Sequence, residues 1–157
     1  MAEAGRVRAA SGPDDIAAAR ALFLAYAESL DVDLCFQGFD AEMARFPGEY
    51  QPPEGALFVA EAGGEIVGVA GLRPAPGGYA EMKRLYLTDG ARGLGLGRKL
   101  AERIIEAARG MGSAGVVLDT LPSMTAAQDI YRRLGFEEYR PEHDGGHPDL
   151  LYFRLVF

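Results

Sequence analysis

Apolar residues recur along this chain with two distinct periods. Ile16, Ala19, Leu22, Phe23, Tyr26 and Leu30 are spaced by three and four residues, which predicts an amphipathic helix. Ser11-Gly12-Pro13-Asp14-Asp15 starts it, placing a proline and two acids in the first turn. Leu100, Ile104, Ile105 and Ala108 repeat the helical period over residues 99–111. Runs at 6–10, 56–62, 65–72, 115–119 and 150–157 are short, apolar and rich in β-branched residues, and read as strands. Gly63-Gly64 between two of them is a two-residue hairpin signal. A short helix is expected near residues 40–45, whereas the prolines at 47, 52 and 53 exclude regular structure over 47–53.

Residues 79–87 complete an antiparallel meander as its third strand. Strict alternation sets Tyr79, Glu81, Lys83, Leu85 and Leu87 on one face, with Met82, Arg84 and Tyr86 on the other. Glu81, Lys83 and Arg84 are too polar for a purely structural core strand, so something polar is expected alongside.

Next comes Arg92-Gly93-Leu94-Gly95-Leu96-Gly97-Arg98, immediately before the helix over 99–111. Glycines at alternate positions remove Cβ atoms, so successive backbone N–H groups can converge on one anion. The unpaired N–H groups and the dipole of the following helix add to that attraction. Arg92 and Arg98 bracket the turn with positive charge, which suits a diphosphate. Two nucleotide motifs fail here. Counting G-x-G-x-x-G from Gly93 or Gly95 puts Arg98 or Leu100 at the last glycine, and no glycine is followed by lysine as a Walker loop requires.

The spacing R-x-x-G-x-G, met by Arg92, Gly95 and Gly97, resembles the acetyl-CoA signature of the GCN5-related N-acetyltransferase superfamily. Ala127, Tyr131, Gly135 and Phe136 match its second signature, A-x-x-x-Y-x-x-x-G-F, a helix ending at a C-cap glycine. The match of element order is closest from residue 81 to 139. The resemblance implies a single α/β domain over residues 1–157. Its mixed twisted sheet has about six or seven strands, an antiparallel meander followed by parallel strands four and five, and helices on both faces. The expected activity is direct acetyl transfer from acetyl-CoA to the primary amine of a small molecule. A non-catalytic acetyl-CoA-binding regulator and an enzyme acting on peptide or protein amines are the alternatives.

Residue roles follow from the same resemblance. Leu85, Tyr86 and Leu87 supply backbone contacts to pantetheine where strands four and five part. Arg92, Gly93, Leu94, Gly95, Leu96, Gly97 and Arg98 hold the diphosphate, and Met124 and Ala127 contact the cofactor from the second helix. Met124 stands where the family often has asparagine, so one polar contact is lost or moved; Pro122-Ser123 is the expected cap. An amine of pKa about 10.4 is neutral in fewer than about one molecule in a thousand at pH 7, so a proton acceptor matters. Glu81, eleven residues before Arg92, matches the base glutamate of histone-acetylating members, with pairing to Lys83 or Arg84 as its structural alternative. Tyr131 faces the leaving sulfur. Full proton transfer from a phenol of pKa about 10 to a thiolate of about 8.5 is uphill by about 2 kcal/mol, so hydrogen-bond donation comes first.

Tyr26, Glu49 and Tyr50 are expected at the acceptor pocket, because the segment between the first helix and second strand often walls it in relatives. Lys83 and Arg84 are expected to favour an amine that also bears a carboxylate, an amino-acid-like acceptor.

Composition narrows the classes further. A formal charge of −7 disfavours general nucleic-acid binding, and no apolar run is long enough for a membrane span or signal segment, which leads to a cytoplasmic expectation. Cys35 is the single cysteine, so no internal disulfide forms; without a base nearby in sequence it reads as buried rather than nucleophilic. His143 and His147 lie in a glycine-containing loop with acids, but the spacing is too flexible for a metal site, and none is expected. The loop is instead expected to flank the acceptor pocket. The terminal strand can close its own sheet or pair across a homodimer.

Overall fold

The apolar and alternating runs form one seven-stranded mixed sheet in the computed structural model, which describes residues 5–30, 38–141 and 150–157. Its strands are β1 (Arg6–Ala9), β2 (Ala56–Ala62), β3 (Glu65–Pro74), β4 (Ala80–Leu87), β5 (Gly115–Thr120), β6 (Glu137–Glu138) and β7 (Leu151–Val156). The helices are α1 (Gly12–Ser29), α2 (Phe39–Ala44), α3 (Leu96–Gly110) and α4 (Thr125–Arg133). In the order β1-β2-β3-β4-β5-β7-β6, every neighbouring pair is antiparallel except β4 and β5. Gly63 and Gly64 turn the β2–β3 hairpin at φ 59° and 81°, which glycine adopts without a Cβ clash. The terminal strand β7 lies between β5 and β6 of its own sheet, in register from Gly115↔Val156 to Thr120↔Leu151.

Two apolar layers sandwich the sheet. Leu96, Leu100 and Ile104 of α3 and Tyr131 of α4 pack with Phe58, Leu72, Met82 and Val116 on one face. Phe23 of α1, with Phe39 and Met43 of α2, packs with Leu57, Val59 and Val69 on the other. Period-two alternation along β2 therefore sends Leu57 and Val59 one way and Phe58 the other, which is why neither layer needs a long apolar run.

Strict alternation fails in β4. Val69 pairs with Tyr86 and Gly71 with Lys83, so Ala70 alone opposes Arg84 and Leu85. This is a β-bulge, and its extra residue, Arg84, has φ 60°. Beyond it Leu85 and Leu87 join Met82 on the α3 side, while Tyr86 packs with the α1 layer. The expected grouping of Leu85 and Leu87 with Glu81 and Lys83 is thereby corrected: the inserted residue shifts the side-chain phase by one.

The glycine turn is built as two left-handed residues, Gly93 at φ 88° and Gly95 at φ 74°, the latter forming the N-cap of α3. Gly97 serves packing instead. A Cβ there would lie 3.3 Å from Ile130 Cδ1 and 3.4 Å from Leu87 Cδ1, so glycine brings α3 close to both α4 and β4. The N-cap of α4 is Met124, not the expected Pro122-Ser123, and makes no side-chain cap bond. Buried Gln128 fastens that corner, donating to the carbonyls of Leu121 at 2.9 Å and Pro122 at 3.3 Å. Among the described residues, no helix is long and apolar enough to cross a membrane.

Two stability outcomes follow. No atom lies within 4 Å of a Cβ built on Gly95, so Gly95→Ala tests backbone strain alone. It is expected to cost about 1–2 kcal/mol, read as a lower urea midpoint at unchanged m-value. Separately, Arg8 donates from Nε to Glu61 at 2.8 Å and pairs with Asp15, and these hydrogen bonds hold both carboxyls below their ordinary pKa. A depressed carboxyl stabilises the fold above the unfolded value of about 4 and loses that contribution as pH falls through the folded value. Arg8→Met should therefore be less stable than the parent at neutral pH, with the gap closing in acid; urea midpoints across this range check it.

Candidate active site

The parallel ladder between β4 and β5 holds only at Ala80↔Val116 and Glu81↔Val117. Beyond it the strands part, leaving the β5-facing edge of β4 from Met82 to Leu87 outside that ladder. Tyr26 of α1 reaches across this gap. Its ring meets Tyr86 of β4 edge-on at 6.0 Å, and its hydroxyl approaches Met124 Sδ, at the start of α4, to 3.9 Å. Thr120 donates to the same sulfur at 3.5 Å, so Met124 receives hydroxyls from both sides. Burial pushes the Tyr26 phenol up to about 12, with Asp119 adding to the shift and Arg84 opposing it.

Tyr131 enters the same region from α4, its ring against Phe136 at 5.8 Å and Phe153 at 5.9 Å. Its phenol pKa is raised above the ordinary range, by burial first and then by Tyr26 and Asp119. A phenol in that environment stays protonated and is a standing hydrogen-bond donor.

The glycine turn lies at the mouth of the cleft. No side chain caps α3, so its first-turn N–H groups face outward from a turn that carries no Cβ at Gly93 or Gly95. Arg92 and Arg98 are exposed and make surface pairs with Asp89 and Glu102. Leu94 is exposed on the same turn, whereas Leu96 is fully buried and anchors it to the core. Ala127 packs partly buried on the first turn of α4.

The polar surroundings expected beside β4 are present as a charge network. Glu81 accepts from Arg73 Nε at 3.0 Å and lies 3.8 Å from Lys83 Nζ, which is also 3.8 Å from Asp119 of β5. Lys83 thus bridges a carboxylate on each of the diverging strands, and burial pulls its pKa down while Asp119 and Glu81 push back. Arg84 pairs with Glu42 of α2 at 3.4 Å and stacks on Phe39 at 5.2 Å. Lys83 and Arg84, expected to hold an acceptor's acid, are instead 4% and 5% exposed, with their charges opposed inside the protein.

A cavity of about 550 Å³ opens on the sheet face beside this network. Glu81 and Asp119 border it at the cleft, Tyr79, Tyr139 and Tyr152 form its aromatic sides, and Arg154 and Arg140 stand beyond Val117. Sequence reasoning missed Asp119, Arg73 and Glu42, which come from three different elements, and also Tyr139, Tyr152 and Arg154. The usable signal was the register of β7 against β5, which no local pattern reveals.

Glu49 and Tyr50 line a separate space of about 10 Å³, too small for a substrate. Glu49 is a surface partner of Arg45, and Tyr50 is a core residue packed on Phe23 at 5.4 Å and against Gly71, where a Cβ would meet its ring at 2.6 Å. Cys35, His143 and His147 lie outside the described residues, as does the polar loop beyond Pro141. Among the described residues, no group of three or more His, Cys, Asp or Glu is placed to hold a metal ion.

Residues 21–136 match the Acetyltransferase (GNAT) family. An uncharacterized N-acetyltransferase of Schizosaccharomyces pombe is 35% identical over 145 residues, covering 91% of this chain and 89% of that protein. Among solved structures, an acetyltransferase of the GNAT family from Staphylococcus aureus superposes with TM-score 0.78 at 18% identity, over 97% of this chain and 98% of its own. A Salmonella typhimurium protein, yncA, solved with its cofactor acetyl-CoA, superposes with TM-score 0.70 at 22% identity, over 97% and 93% of the two chains. With a parted β4–β5 pair, an uncapped glycine-turn helix and a family match over most of its length, the chain belongs to the GNAT family of acetyltransferases.

Proposed function

We propose that this acetyltransferase transfers an acetyl group from acetyl-CoA directly to the primary amine of a small molecule that also bears an acidic group. The observation that carries the reading is the combination of an uncapped glycine-turn helix, a β4 edge beyond the β5 ladder and a cavity bordered both by Glu81 and Asp119 and by Arg140 and Arg154. These residues fit the donor: the turn at Gly93 and Gly95 is open, with nothing within 4 Å of a Cβ at either, and donors rather than a capping side chain point from α3. The yncA protein's acetyl-CoA supports the same choice. Acetyl-CoA supplies the acetyl group activated as a thioester.

The rest is work for the chain. The first-turn N–H groups of α3, with Arg92 and Arg98, would hold the diphosphate; the β4 backbone at Leu85, Tyr86 and Leu87 would bond the pantetheine arm. Tyr131 Oη donates a hydrogen bond toward the departing sulfur. Its raised pKa widens the gap against full proton transfer, so stabilisation of negative charge is its role. Glu81 Oε2 accepts the proton of the attacking amine, and Arg73 fixes the carboxylate through Oε1. Tyr26 shields the gap between β4 and β5 from the α1 side.

Release of free CoA thiol with a panel of amines tests the reading, and tight acetyl-CoA binding without release for any amine would reject it in favour of a regulator. Tyr131→Phe is expected to lower kcat by about 100-fold with little change in acetyl-CoA affinity, measured by calorimetry. Equal turnover in the variant would remove that role. Glu81→Gln is expected to lose about 100-fold at neutral pH and to recover in part at high pH, where more of the amine is already neutral. A pH–rate profile parallel to that of the parent would exclude Glu81 as base and direct attention to Asp119, across Lys83.

A further inference from the structure

The cavity beside the cleft is polarised along its length. Glu81, Val117 and Arg154 stand in register on β4, β5 and β7 and share one face of the sheet. Two strand spacings therefore separate the backbone positions of Glu81 and Arg154, about 10 Å, with the apolar Val117 side chain between them. Asp119 and Tyr152 form the next cross-strand pair along the same face. One end thus carries two carboxylates tied by Lys83, the middle is apolar and aromatic, and the far end carries a guanidinium.

The guanidinium is set for recognition. Arg154 lies over the Tyr139 ring at 4.5 Å, and Tyr139 in turn meets Tyr152 edge-on at 6.4 Å. Stacking fixes the plane of the group while leaving its N–H edge available. Among the described residues no carboxylate lies within salt-bridge distance of it, unlike Arg73 and Arg84, which are paired at the cleft end. Burial raises the Tyr139 phenol, with Arg154 opposing the shift and Glu81, Tyr152 and Tyr79 adding to it, so these groups converge on one space.

We propose that Arg154, braced on Tyr139, is the specificity determinant that holds an anionic group at the far end of the acceptor. The acceptor is then an amine separated from a carboxylate by an apolar spacer, rather than an α-amine beside its own carboxylate. An α-amine and its own carboxylate share one carbon, a short span against the about 10 Å between the backbone positions of Glu81 and Arg154. This inference rests on the acetyl-transfer reading and sharpens its acceptor.

The test uses the full chain with acetyl-CoA and the series glycine, β-alanine, 4-aminobutyrate and 6-aminohexanoate, with hexylamine as the analogue lacking the acid. Parent kcat/KM should rise with spacer length and exceed that for hexylamine by about 10- to 100-fold for 6-aminohexanoate. Arg154→Leu should erase that advantage through KM for 6-aminohexanoate while KM for acetyl-CoA stays unchanged. Arg154→Lys, which retains charge, should restore part of it and guards against a folding defect. Glycine as the best acceptor, or an unchanged preference for 6-aminohexanoate over hexylamine in Arg154→Leu, overturns the proposal. Calorimetry of 6-aminohexanoate with CoA present separates the two readings. Binding that depends on Arg154 without turnover keeps the cavity assignment and rejects transfer. Turnover indifferent to Arg154 does the reverse, and neither binding nor turnover rejects both.

Discussion

One extra residue in β4 sets the geometry on which the site depends. Arg84 occupies the left-handed region at φ 60°, a conformation that costs an L-residue about 1–2 kcal/mol. Its guanidinium is buried against Glu42 and the Phe39 ring, which ties the strained residue to α2 and offsets that cost. The bulge turns β4 away from β5 after a two-residue ladder and rotates the strand so that Leu85 and Leu87 meet α3. Without it, β4 and β5 would continue side by side, their facing N–H and C=O groups would satisfy each other, and no edge would remain for an extended ligand.

The same displacement explains why buried charge is tolerated beside the cleft. An isolated ionised side chain in such surroundings would be costly, but each here has an opposite partner: Glu81 with Arg73, Lys83 with Glu81 and Asp119, Arg84 with Glu42. The partners come from α2, β3, β4 and β5, so the network also cross-links the elements that frame the cavity. A carboxylate held on one side by Arg73 and on the other by Lys83 is fixed in position.

The sequence was legible where the determinants are local. The helical period of α1, the Gly63-Gly64 hairpin and the turn from Gly93 to Gly97 each follow from a few adjacent residues, and each is present in the structure. Reading failed where distant strands had to be brought together. Alternation could not reveal the bulge at Arg84, because a phase shift leaves no mark on residue type when both faces of the strand carry polar and apolar groups. Tyr50, between Glu49 and the prolines, reads as an acceptor-pocket residue, yet Gly71 on β3 leaves room for its ring in the core. Lys83 and Arg84 read as anion-holding cations because their partners Asp119 and Glu42 are separated from them in sequence by more than a strand and a turn.

The terminal strand brings distant residues to the same face. By inserting between β5 and β6, β7 carries Tyr152 and Arg154 to the face that Glu81 and Asp119 occupy. α1 and α2 pack with β2, β3 and β4 in one apolar layer, and among the described residues a cavity lies on the half of the sheet that carries Val117, Tyr152 and Arg154. The groups proposed to hold the donor come from β4, α3 and α4, whereas Tyr139, Arg140, Tyr152 and Arg154 line the far wall of the cavity. The two contributions meet through the β4–β5 ladder, the Lys83 bridge and the packing of Tyr131 and Arg132 of α4 on Phe153 of β7. Under the proposed reading, substitution of Arg154 or Tyr152, on the face of β7 opposite Phe153, changes the far end of the acceptor space while leaving the glycine turn in place, a separation that follows from strand order.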